Sequence, residues 1–150
     1  MSKYDEIKEI IENAGDAVDF AEFGDGVSEE WIERAEKRLN IDLPESYKWW
    51  LRNYGGGEIY GEEIFSIYEQ DFDTVVGGDI VYMYELNKKQ FNYSDNMLAI
   101  CETDNETYYF NVSESKIDNE YTIYALHTKV LYAKDFIEFL KKRILDVWSY

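Results

Sequence analysis

The chain is poor in the residues from which catalytic and metal centres are usually built. Its 150 residues include one histidine, one cysteine and one proline, and 15 lysines and arginines stand against 32 aspartates and glutamates. A lone Cys101 excludes an internal disulfide, and with His127 it falls short of the nitrogen and sulfur ligand set of a zinc site. Any Ser/His/Asp or Cys/His arrangement would have to use His127, and no Gly-x-Ser-x-Gly elbow accompanies it. Gly24-Asp25-Gly26 and Gly55-Gly56-Gly57 lack the trailing glycine or Gly-Lys-Ser/Thr of a phosphate cradle. Glu102, Asp104 and Glu106 alternate as acids do at the start of a calcium loop. Thr107, however, stands where that loop needs glycine, and Ser113 where it needs glutamate. The expectation is a protein that is not an enzyme and uses no cofactor and no metal.

Long apolar runs are missing too, which argues against a membrane span, and the opening Met1-Ser2-Lys3-Tyr4-Asp5-Glu6 is too acidic for a signal peptide. The expected location is cytoplasmic, with Cys101 a reduced thiol in the apolar stretch 97–101. The sequons at Asn92, Asn105 and Asn111 then carry no meaning. The scarcity of bases leaves a net charge of −17, which repels phosphate backbones and anionic headgroups. Neither nucleic acid nor a membrane surface is an expected partner, and a cationic one is.

What is present is the material of a core. A content of 45% hydrophobic and 17% aromatic residues is far above that of a disordered acidic tail. A chain of this length suits one domain, residues 1–150, burying roughly 70% of its unfolded surface. Tyr4, Ile7, Ile11 and Ala14 recur at helical spacing over 3–14, with Gly15 as the stop. Ser28 caps a second helix running to about residue 39, with Glu29 and Glu30 in its first turn. Pro44 suits the first position of a third helix, whose Tyr47, Trp50, Leu51 and Tyr54 recur until the triple glycine.

Beyond residue 57 the period changes. The β-branched and aromatic runs 64–68, 97–101, 107–112 and 121–126 predict strands, and Asp104-Asn105 suits an antiparallel hairpin turn. Val81, Tyr84, Lys88 and Phe91 predict a helix over 80–91. From Lys134, the residues Phe136, Ile137, Leu140, Ile144 and Val147 trace a final helical face. N-terminal helices and a C-terminal helix around a block of strands, without βαβ alternation, make an α+β fold on a mostly antiparallel sheet.

The charge is uneven. Residues 53–115 hold 13 acids against Lys88 and Lys89 alone, whereas residues 129–150 hold 3 acids and 5 bases. Between Arg52 and Lys88 the acids are interleaved with Tyr60, Tyr68, Phe72, Tyr82 and Tyr84. Acid with tyrosine is the composition of a contact surface for a basic protein, although a plain solvated acidic face has the same charge pattern. The leading candidates for partner contact are Tyr60, Glu62, Glu63, Tyr68, Asp71 and Asp73.

Val27-Ser28-Glu29-Glu30-Trp31-Ile32-Glu33-Arg34-Ala35-Glu36, then Leu39, then Ile41-Asp42-Leu43-Pro44-Glu45-Ser46-Tyr47, then Leu51 and Tyr54-Gly55-Gly56-Gly57, resembles the signature of the SUKH superfamily. In that pattern a capped helix leads into Leu-Pro-x-x-Tyr, a second helix and a glycine-rich stop before the sheet. Met97 to Ile100, Tyr108 to Phe110 and Phe136 to Leu140 are similar to its later strands and C-terminal helix, so the resemblance spans about residues 27–141. It implies helices packed on a mostly antiparallel sheet. It also implies a cytoplasmic immunity protein that binds and neutralises a cognate secreted toxin, often a nuclease. Leu43, Pro44, Tyr47, Leu51 and the glycines read as packing, cap and turn residues. The alternative is a regulatory or scaffold module that recognises another protein or a small ligand.

Overall fold

The computed structural model describes residues 2–145. Three helices begin the chain: α1 (Lys3–Asn13), α2 (Glu29–Leu39) and α3 (Glu45–Tyr54), with the short strand β1 (Val18–Phe20) between the first two. Ser2 and Ser28 cap α1 and α2 by accepting from the backbone N–H of Asp5 and Trp31. Asn40, in the left-handed region at φ 56°, closes α2. Strands β2 (Gly57–Ile59) and β3 (Glu62–Ile64) follow, then α4 (Ile80–Gln90), the meander β4 (Met97–Glu102), β5 (Thr107–Asn111), β6 (Ile123–Ala125) and β7 (Val130–Ala133), and α5 (Phe136–Leu145). The strands form two antiparallel sheets, β1-β2-β3 and β4-β5-β6-β7. The expected α+β architecture is the observed one, and the hairpin at Asp104-Asn105 joins β4 to β5 as expected.

The core lies between the helices and the inner sheet faces. Tyr47, Trp50, Phe110, Phe136 and Phe139 are fully buried. Tyr47 meets Phe110 and Phe136 edge-on at 5.6 and 5.1 Å, and its hydroxyl donates to the Phe65 carbonyl at 2.6 Å. The Leu-Pro-x-x-Tyr segment is therefore packing, as the sequence suggested. Gly57, at φ 140°, is required, because a Cβ there would sit 2.2 Å from the Asp19 carbonyl of the neighbouring strand.

Several boundaries differ from expectation. The run 64–68 is strand only at its first residue, because the Phe65 N–H crosses to the Ile100 carbonyl of β4 and the Tyr68 N–H turns to the Asp79 carboxylate. Ser66 instead makes an isolated parallel bridge with Asp79. Pro44 is the N-cap of α3, not its first helical residue, since its ψ of 148° is extended. Phe91 lies past the end of α4 and is 61% exposed, so it is no part of the buried face. Strands β1, β2 and β7 have no counterpart in the sequence reading. Three or four residues without clear alternation become strands only because partners lie beside them. Val147 lies outside the described residues.

Candidate functional site

The expected partner residues divide among three places. Strand alternation sends Glu62 and Glu63 to opposite faces of the β1-β2-β3 sheet. Glu62 accepts from Arg143 of α5, whose guanidinium also donates to the Tyr108 hydroxyl at 3.1 Å. Tyr60, in the turn between β2 and β3 at φ 51°, donates to the Ile144 carbonyl at 3.1 Å. These two residues face the C-terminal helix.

Glu63 lies on the outer face and accepts from the Tyr68 hydroxyl at 2.6 Å. Burial raises the Tyr68 hydroxyl pKa above its ordinary value, and the Glu63 carboxylate beside it adds to that shift, so Tyr68 remains a donor. Gly78 makes room for the pair, since a Cβ there would fall 2.3 Å from a Glu63 carboxylate oxygen. The strand register then places Asp19, Glu58 and Glu63 directly opposite one another across β1, β2 and β3. Cross-strand neighbours stand about 5 Å apart at Cβ, so this is a row of like charges on one sheet face. No lysine or arginine among the described residues pairs with any of the three. Asp19 was missed as a candidate because only the pairing of β1 with β2 brings it beside Glu58.

Asp71 and Asp73 lie on the segment that returns from β3 to α4. The Asp71 carboxylate accepts from the Asp73 N–H at 2.9 Å, and the Asp73 carboxylate accepts from Arg38 of α2 at 2.8 Å. Beside them is a cleft of about 600 Å³ lined by Trp31, Arg34, Lys37, Arg38, Asp71 and Phe72. Trp31 and Phe72 meet edge-on at 5.7 Å, and Arg34 lies over the Trp31 ring, 4.8 Å from its centroid. Half-buried aromatics beside arginine have the composition of a protein contact.

Of the residues weighed for chemistry, Glu106 is bound into a turn and Cys101 is packed in the core. The His127 side chain is exposed, and it is the backbone N–H of that residue that is used, donating at 2.6 Å to Glu106. Glu106 also accepts from the N–H groups of Thr107 and Thr128 and from the Thr128 hydroxyl. Burial raises its carboxyl pKa, and the bonds from His127, Thr107 and Thr128 outweigh that and hold it below the ordinary value. Cys101 is buried, and burial pushes its thiol up to about 12. Among the described residues no three His, Cys, Asp or Glu side chains converge as metal ligands would, and no helix is long and apolar enough to cross a membrane.

A second cleft, of about 410 Å³, surrounds Glu120 and includes Lys3, Lys134 and Asp135. Its buried carboxylate is bound to Ser46 at 2.6 and 3.0 Å. That bond holds the start of α3, so the cleft has a structural purpose.

The order of a capped α2, the Leu-Pro-x-x-Tyr entry to α3, the glycine stop and the antiparallel meander is matched as a unit by a family model. That model is SUKH_6, described as SMI1-KNR4 cell-wall, and the match covers residues 29–140, from the start of α2 into α5. The chain belongs to this family, within the SUKH superfamily.

Proposed function

We propose that the chain is an immunity protein that neutralises a cognate secreted toxin by direct contact, and that the toxin domain is basic, most simply a nuclease such as a ribonuclease. Family membership supports the immunity role, and part of the proposal is that the chain stands close to the bacterial immunity protein YobK. The observation that carries the partner's chemistry is the unneutralised row Asp19, Glu58 and Glu63. Like charges set opposite one another across strands cost stability, and a cationic surface docking there would relieve that cost.

In this reading the contact face comprises Asp19, Glu58, Glu63, Tyr68, Asp71 and Asp73, with Tyr60 and Glu62 assigned to holding α5. A nuclease that grips a phosphate backbone presents a basic surface, and an acidic protein can occupy it before nucleic acid does. The protein itself acts in the cytoplasm, as one domain, without a cofactor.

Co-expression with the cognate toxin domain and with several unrelated ones tests the proposal. Rescue from one toxin is expected, because wrong partners meet unpaired charges and poor shape. Rescue from none, or equal rescue from all, refutes it.

A further inference from the structure

Beyond Ile67, which stays in the core, the chain leaves the body and returns to the same point at Gly78. The Ser66 N–H donates to the Gly78 carbonyl at 3.0 Å, and the Ile80 N–H donates to the Ser66 carbonyl at 2.7 Å, which closes the neck of a loop over residues 67–78. Compact loops with adjoining ends are a frequent place for function. This one carries Glu69, Asp71 and Asp73 with no base, and it exposes Val75 at 76%. It has no strand or helix of its own. Tyr68 is tied to Glu63 and Asp79 at the neck, and from Glu69 onward the loop is held by α2 at three points.

Glu69, at φ 55°, accepts from the Ser28 N–H at the start of α2 at 2.9 Å. Phe72 rests edge-on against Trp31. At the far end Arg38 grips two carboxylates from different elements. Its Nε donates to Glu85 of α4 at 2.7 Å, and its Nη2 donates both to Asp73 at 2.8 Å and to the second Glu85 oxygen at 3.2 Å. The Asp73 side chain is 77% exposed and that of Glu85 39%, so water and salt reach the contact. Without the guanidinium, two carboxylates that now share one nitrogen would face each other uncompensated, and repulsion would drive the loop away from α4 while its tie to α2 is lost.

We propose that Arg38 is a positioning residue, a clasp that holds loop 67–78 in the conformation that a basic partner surface contacts. The proposal rests on the reading of the acidic face as partner-facing. The loop presents Asp71 to the partner's cations and Val75 to its apolar side chains, while Arg38 acts from behind through Asp73. A preorganised loop loses less conformational freedom on docking, so the clasp strengthens binding without touching the partner.

Hydrogen exchange of the free protein decides the clasp without any toxin. In Arg38→Gln the amides of residues 67–78 should exchange about tenfold faster at low salt, with less difference at high salt and with α3 and β4 unchanged. Arg38→Lys restores the charge but not the fork, and should recover part of the protection. Asp73→Asn should reproduce the loosening from the other side of the contact. Unchanged exchange in both Arg38→Gln and Asp73→Asn overturns the proposal. With the toxin domain that the wild type neutralises, Arg38→Gln should bind about tenfold more weakly and Arg38→Lys should fall between. A loosened loop with unchanged toxin affinity also overturns it. If the wild type rescues from no toxin, the immunity reading fails, and the exchange result still decides the clasp.

Discussion

Replacing Glu120 by alanine should uncap a helix that lies far away in sequence. Pro44, at the N-cap of α3, has no side chain to accept from the first turn. The turn between β5 and β6 does this instead. The Asn119 carbonyl accepts from the Glu45 N–H at 2.9 Å, and the Glu120 carboxylate accepts from the Ser46 N–H at 3.0 Å and from its hydroxyl at 2.6 Å. Ser46 is fully buried and Glu120 is 7% exposed, so the alanine variant leaves two donors with water alone to satisfy them. Each buried donor left without a protein partner costs about 1 kcal/mol at the lower end of its range, for a loss of about 2 kcal/mol.

The pH dependence separates the charge from the bonds. Burial raises the Glu120 carboxyl pKa above the ordinary glutamate value, and the bonds from Ser46 only partly oppose it. A raised folded-state value means that stability is fully present below the unfolded-state value and is lost as pH rises through the folded one. Glu120→Gln keeps one acceptor oxygen and cannot titrate. It should cost about 1 kcal/mol at neutral pH, and the gap to wild type should widen on acidification. Urea unfolding of wild type, Glu120→Ala and Glu120→Gln at neutral and mildly acidic pH measures these differences, with exchange of the Ser46 amide as a local check. An alanine variant within about 0.5 kcal/mol of wild type, with Ser46 exchange unchanged, would refute the cap.

Glu106→Gln should show the opposite pH trend. Its carboxyl is held low, so its contribution is present above the unfolded-state value and lost as pH falls through the folded one; a neutral-pH cost of about 2 kcal/mol should shrink in acid, and a pH-independent gap would contradict this. Glu58→Gln removes the middle of the carboxylate row, so thermal unfolding should show a gain of about 0.5 kcal/mol that fades with added salt, while toxin binding weakens. Cys101, 2% exposed with its thiol near 12, should react with a thiol reagent no faster than the protein unfolds, and rapid labelling of the native state would show that β4 opens locally.

Short-range chemistry was legible in the sequence. The Ser28 cap, the helical period of α1 to α3, the helix expected over 80–91, which ends at Gln90, and the hairpin at Asp104-Asn105 depend on residues within a few positions of one another, and these elements are in the structure. The net charge of −17 and the thin supply of histidine and cysteine likewise bear on partner and chemistry before any folding is considered. The candidate site was legible only as a segment rich in acids and tyrosines.

Tertiary structure decided which of those residues stand together. Glu62 and Glu63 are adjacent in sequence, yet the two-residue period of β3 turns one toward Arg143 and leaves the other on the outer face. Asp19, outside the segment, joins Glu58 and Glu63 because antiparallel register aligns residues by pairing and not by sequence distance. Strands β1, β2 and β7 carry too few residues for a period to show, and they exist because a partner strand satisfies their backbone groups. The cap of α3 by Glu120 and the grip of Arg38 on Asp73 join residues 74 and 35 positions apart. Contacts over such distances form only when the whole core closes, so no local pattern records them.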